Sequence, residues 1–117
     1  MDGRHDPDAS FCTVTAAGVV ELVGEHDVAS APEFEAALKE AAKQSVGSVE
    51  VDLTRATFID SSIAAVLVRS ARDLVRGGHR IALHLTEGSS PAMVIEIVGL
   101  GSQAGIVVET VPASDGG

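Results

Sequence analysis

A chain of 117 residues has room for one core: at this length roughly 65% of the unfolded surface is buried on folding, which sustains one domain and not two. The hydrophobic share is 45% but the aromatic share only 3%, so that core has to be aliphatic. Seventeen Asp and Glu against 8 Lys and Arg give a net charge of −9, a field that repels nucleic acid and anionic membrane and draws in partners with basic surfaces.

The opening residues, "MDGRHDPDAS", have neither a basic nor an apolar signal region, so a secretory leader is not expected there. Residues 1–9 read as a flexible arm. "SFCTVTA" (10–16) and "VVELVGE" (19–25) are rich in β-branched residues and read as two strands. The Ala16-Ala17-Gly18 link between them suits a hairpin. Cys12 is the only cysteine, so no internal disulfide can form.

"SAPEFEAALKEAAKQ" (30–44) reads as a first helix, with Ser30 and Glu33 spaced as a capping box and Pro32 in the first turn. Phe34, Ala37, Leu38, Ala41 and Ala42 recur at helical spacing along it. "SVEVDLT" (48–54) alternates as a strand. Phe58 and Ile59 then lead into Asp60-Ser61-Ser62 and a second helix, whose apolar face is Ile63, Val66, Leu67, Ala71, Leu74 and Val75 and whose end is Gly77-Gly78. "RIALHLT" (80–86) is another alternating strand. Ser89-Ser90-Pro91 opens a third helix carrying Val94, Ile97 and Val98, closed by Gly99. "GIVVETV" (105–111) is the last strand, and residues 112–117 read as a disordered tail. The order β-β-α-β-α-β-α-β implies one α/β domain over 10–111, with a mainly parallel sheet carrying an antiparallel hairpin at its edge. The most apolar run, Ile63–Val68, is far shorter than the ~20 residues that span a bilayer. A cytoplasmic protein is expected.

Sites of covalent or metal chemistry find little support. "FIDSSIA" lacks the glycines of a nucleophile elbow, so no catalytic residue is assigned. His5, His26, His79 and His84 show no metal-site spacing and read as surface or half-buried structural histidines. "GLGSQAG" (99–105) is neither a P-loop nor a dinucleotide fingerprint, and its glycines read as closing one helix and opening the last strand. No metal and no cofactor is expected. Cys12 has no adjacent Lys, Arg or His to lower its pKa and reads as a passive strand thiol.

Asp60-Ser61-Ser62 stands apart. One Ser or Asp before an apolar-periodic run is ordinarily an N-cap, which accounts for one of these three residues. All three lie at the carboxyl edge of a parallel strand, where open α/β sheets place their sites, and at the positive end of a helix.

On these residues the chain resembles a known family. "VDLTRATFIDSSIAAVLVRSARDLVRGGHRIAL" (51–83) is similar to the STAS domains, the sulfate transporter and anti-sigma factor antagonist family, in which a hydrophobic strand meets Asp-Ser-Ser-Gly and a helix ends at Gly-Gly. "LVGEHDVASAPEFEAAL" (22–38) matches the family's Gly-Glu-x-Asp stretch, and "SSPAMVIEIVGL" (89–100) its distal helix. The resemblance spans roughly residues 11–110. It implies a soluble partner-switching protein: unphosphorylated, it binds an anti-sigma factor of the ATPase/serine kinase type; phosphorylated, it lets go; a phosphatase resets it.

By position the resemblance makes Ser62 the phosphoacceptor and groups Asp27, Asp60, Ser61, Ser62 and Ile63 as the partner-binding residues. One position departs from the pattern: Ile63, followed by Ala64, stands where the family has Gly and then a large aliphatic residue. Ile63 also fits the apolar period of its helix, which predicts that it points inward. The alternative role is a non-switching STAS interaction module within a larger signalling scaffold or lipid-transport assembly.

Overall fold

In the computed structural model, which describes residues 10–113, six strands form one mixed sheet and three helices pack on it. The two strands of the expected hairpin, β1 (Phe11–Val14) and β2 (Val20–His26), pair antiparallel with Phe11 opposite Val23 and Val14 opposite Val20. Gly18 makes the link tight. Its φ of +83° is open to glycine at no steric cost, and its N–H closes the turn on the Thr15 carbonyl at 2.8 Å.

Beyond the hairpin every pairing is parallel. β3 (Ser48–Asp52), β5 (Arg80–Thr86) and β6 (Ile106–Val111) extend the sheet in the order β1-β2-β3-β5-β6. A sixth strand, β4 (Ala56–Ile59), corrects the expected element order to β-β-α-β-β-α-β-α-β. β3 pairs with the first part of β2, at Val20 and Glu21; β4 then takes over alongside its last part, Gly24 to His26, with a bulge between Gly24 and Glu25. The switch is made by an Asx turn: the Asp52 carboxylate accepts from the Thr54 N–H at 2.8 Å and the Thr54 hydroxyl at 2.6 Å.

Helices α1 (Ala31–Gln44), α2 (Ser61–Arg76) and α3 (Ser90–Ile97) cover one face of the sheet. That is why the strands alternate in burial. Val49, Val51, Leu53, Ile81 and Leu83 are fully enclosed, while Glu50, Asp52 and His84 on the opposite face stay part-exposed. Phe34, Leu38 and Ala41 of α1 meet Ile63, Val66, Leu67 and Ala71 of α2 over this face, giving the aliphatic core that the composition calls for. Of the three Phe residues only Phe34 is buried; Phe11 and Phe58 are exposed. Val75 is exposed as well, although α2's spacing placed it on the inner stripe.

α3 is phased differently from the expectation. Ile95 is its buried anchor, while Ile97 and Val98 face outward, because a two-turn helix apolar on nearly all sides gives no periodic signal to read. Gly99, at φ +73°, ends it as anticipated. Gly105 is needed for contact: a Cβ there would lie 2.5 Å from a Val75 methyl, at a φ of +87°. The flexible arm expected at 1–9, and the tail from residue 114 onward, lie outside the described residues.

Candidate functional site

β2 and β4 run side by side, His26 opposite Ile59, and stop together at the carboxyl edge of the sheet. The next residue on each is an aspartate. Asp27 and Asp60 therefore leave the sheet as neighbours, on strands about 4.8 Å apart. Both have extended backbone angles, and both use a side-chain oxygen to cap the turn that follows.

Asp60 is the N-cap of α2. Its Oδ1 accepts from the Ser62 N–H at 3.0 Å and the Ile63 N–H at 3.4 Å, and the Ser62 hydroxyl donates to the same oxygen. The Ser62 hydroxyl foremost, with the two backbone N–H groups adding to it, holds the Asp60 carboxyl below its ordinary value against the opposing effect of desolvation. The capping that could have explained a serine here is thus done by the aspartate. Ser61 is exposed on the first turn, and Ser62 is half-buried with its hydroxyl aimed at Asp60.

Asp27 caps a shorter element, the 3-10 turn Val28–Ser30, accepting from the Ala29 N–H at 3.0 Å. The turn is exposed and lies against α2, which brings Asp27 to the end of the molecule that carries Asp60, Ser61 and Ser62. Ile63 does not share that surface. It has no exposure at all, the inward orientation that its helical phase predicts, and its grouping with the contact residues is corrected accordingly. It anchors α2 from below.

Two features of this end were not read from the sequence. Ser30 precedes α1 but makes no side-chain capping bond, so the expected Ser30–Glu33 box is not formed. Its hydroxyl lies instead 3.0 Å from His26 Nδ1 and 3.2 Å from the Asp27 carbonyl. His26, expected to be a surface or half-buried histidine, is 2% exposed. The period of β2 contained the signal: Val20, Leu22, Gly24 and His26 share the inward phase.

The other candidates lie elsewhere. His84 is half-buried on the open sheet face with Nε2 on Glu50, and His79 Nε2 meets the Ser45 carbonyl at 3.1 Å. Burial, with Glu33 adding to it, pushes the Cys12 thiol up to about 11, the opposite of activation. Among the described residues no group of three or more His, Cys, Asp and Glu is placed to hold a metal ion, and no helix is long and apolar enough to cross a membrane. A cleft of about 360 Å³ opens between α3 and the ends of β5 and β6, lined by Leu85, Glu87, Ile95, Glu96 and Val108 among others; it includes none of the candidate residues.

A helix-covered mixed sheet with a capped Asp-Ser-Ser turn at its carboxyl edge makes a small α/β domain. The family model described as "Mlab, STAS domain" matches residues 11–109, and the chain belongs to this STAS domain family. No curated protein sequence matches it. Similar solved structures include an anti-sigma factor antagonist from Mycobacterium paratuberculosis, at 22% identity and a TM-score of 0.68, covering 87% of this chain and 88% of that one. The anti-sigma factor antagonist SpoIIAA in its unphosphorylated form is similar at 21% identity and a TM-score of 0.63, over 92% and 90% of the two chains. A Thermotoga maritima protein described as an anti-sigma factor antagonist gives 16% and 0.60, over 87% of each chain. At these identities the likeness is one of fold.

Proposed function

We propose that the chain is an anti-sigma factor antagonist: it binds an anti-sigma factor of the ATPase/serine kinase type through the end that carries Asp27, Asp60, Ser61 and Ser62, and phosphorylation of Ser62 switches that binding off. It is a binding protein of the cytoplasm rather than an enzyme, and a phosphatase returns it to the binding form. The observation that supports this best is the division of labour at the start of α2. Asp60 performs the capping, so helix formation alone does not account for the half-buried Ser62 hydroxyl beside it.

The electrostatics fit a switch. A phosphate on Ser62 adds roughly −1.5 to −2 charges and three strong acceptors. It removes the hydroxyl proton now donated to Asp60 and places a second anion next to that carboxylate. The helix N-terminus tolerates the anion, so the fold survives. A contact surface that must be desolvated does not tolerate it, and the partner leaves.

A second reading keeps the fold and drops the switch: a STAS interaction module in a larger signalling scaffold or lipid-transport assembly. The observation in its favour is that the Ser62 hydroxyl is already engaged by Asp60, as a constitutive part of the turn.

Two measurements separate these readings. Intact mass of the protein from its native host, with and without phosphatase treatment, shows a phosphate under the first and none under the second. Ser62→Ala is expected to retain anti-sigma factor binding, while Ser62→Asp weakens it at least about tenfold without unfolding the domain; binding that is equal in both variants contradicts the switch. Attraction between the −9 chain and a basic surface should also weaken as salt rises.

A further inference from the structure

Among the described residues His26 is the one imidazole enclosed in the helix-covered layer, on a strand whose other inward side chains, Val20 and Leu22, are aliphatic and fully buried. An aliphatic side chain would fill that layer without bringing two ring nitrogens out of water, which is unfavourable unless both are hydrogen-bonded. Both are. Nε2 is 3.0 Å from the Val23 carbonyl and Nδ1 is 3.0 Å from the Ser30 hydroxyl. A carbonyl only accepts, so Nε2 carries the proton, and in the neutral ring Nδ1 accepts from the Ser30 hydroxyl, whose single proton is then not given to the Asp27 carbonyl 3.2 Å away.

These two contacts straddle the turn. Val23 lies where β2 passes from pairing with β3 to pairing with β4, and Ser30 closes the 3-10 segment that begins after Asp27. The Ser30 N–H in turn reaches the Asp27 carbonyl at 3.0 Å, and Asp27 Oδ1 holds the Ala29 N–H. The ring therefore ties the far end of the turn to the strand beneath it. Without the ring, the turn is held by packing of exposed residues and by bonds to Asp27 alone: its Oδ1 accepts from the Ala29 N–H, and its carbonyl accepts from the Ser30 N–H and from the Ser30 hydroxyl once that proton is released from the imidazole.

We propose that His26 is a positioning residue, a buried imidazole clamp that pins the Val28–Ser30 turn to β2 and thereby fixes the exposed Asp27 carboxylate at the binding end. The part that concerns partner contact rests on the function proposed above; the clamp itself does not.

The test uses the full chain with His26→Leu, Ser30→Ala and the double variant, and reads two quantities. The first is NMR amide exchange at Ala29 and Ser30, with Ile63 on α2 as internal reference. We expect about tenfold faster exchange at Ala29 and Ser30 in each single variant, the scale of one lost hydrogen bond, with Ile63 unchanged. The double variant should be no faster than the singles, because both remove the same link. His26→Asn keeps a polar atom near the Nδ1 position and should restore part of the protection, which His26→Leu should not.

The second quantity is affinity for the host anti-sigma factor retained by the wild-type chain, expected to fall about tenfold in His26→Leu and in Ser30→Ala. Should His26→Leu fold poorly, Ser30→Ala reports on the same contact from the half-buried side. Unchanged exchange at Ala29 and Ser30 in both single variants overturns the clamp. Faster exchange with unaltered affinity overturns the claim that it positions Asp27 for a partner. If the wild-type chain retains no anti-sigma factor while the exchange result holds, the clamp stands and the proposed function fails.

Discussion

Two aspartates leave the sheet side by side and build different things. Asp27 and Asp60 follow paired residues of adjacent parallel strands, share an extended backbone, and cap by the same chemistry. Asp60 hands over directly to a sixteen-residue helix whose third residue, Ile63, is buried in the core. Asp27 hands over to a three-residue turn with no buried residue of its own, held from beneath by a histidine. A local capping motif thus sets where a turn starts; how firmly the turn is held depends on what lies under it.

The largest expected contrast between the two turns is in stability. Ile63→Gly removes a fully enclosed side chain from the first turn of α2 and adds the backbone entropy of a helical glycine, about 3–5 kcal/mol together. Ala29→Gly, at the exposed 3-10 turn, should alter stability by only a few tenths of that range's lower end, under about 1 kcal/mol. Denaturant melts of the two variants check this. Comparable losses would mean that the Asp27 turn is anchored as deeply as α2.

A smaller contrast separates the caps. Asp60→Ala strips three donors of their shared acceptor at the start of a long helix and should cost about 1–2 kcal/mol. Asp27→Ala frees one N–H of an exposed short turn and should cost about 0.5 kcal/mol. In binding the order is expected to level out, since both carboxylates lie at the proposed contact surface. Equal stability losses with unequal effects on binding would reverse the assignment of roles.

Much of this was legible in the sequence, for identifiable reasons. The strands of the hairpin, β3, β5 and β6 carry two-residue alternation or β-branched runs, and α1 and α2 carry apolar stripes, so the single α/β domain and its mainly parallel sheet follow from periodicity. β4 escapes a reading of the sequence because its four residues follow β3 after a turn that contains neither Gly nor Pro; the Asp52-x-Thr54 spacing is the local mark of that turn. The Ser30 box failed through competition. A buried imidazole took the hydroxyl that the helix terminus would otherwise use, and no local pattern encodes a partner four residues back on another element. At the proposed binding end, Asp27, Asp60 and Ser62 could be grouped by motif, but that Asp60 rather than a serine does the capping depends on side-chain direction, which spacing does not carry.

The smallest expected effect, and the most specific to the Asp60 turn, is one of pH. The folded-state pKa of Asp60 lies below its ordinary value of 3.8, chiefly because the Ser62 hydroxyl donates to the carboxylate. A depressed carboxyl pKa contributes stability that is present above the unfolded-state value and is lost as pH falls through the folded-state value. The stability difference between the wild type and Asp60→Asn should therefore be flat from about pH 5 to 7 and shrink only below about pH 4. Ser62→Ala removes the foremost cause of the shift, so the Asp60 carboxyl should titrate closer to 3.8 in that variant, a displacement readable from its side-chain 13C resonance. An Asp60 titration that is identical in the wild type and in Ser62→Ala would show that the hydroxyl does not donate to the carboxylate in solution, and would remove the interaction that a phosphate on Ser62 is proposed to break.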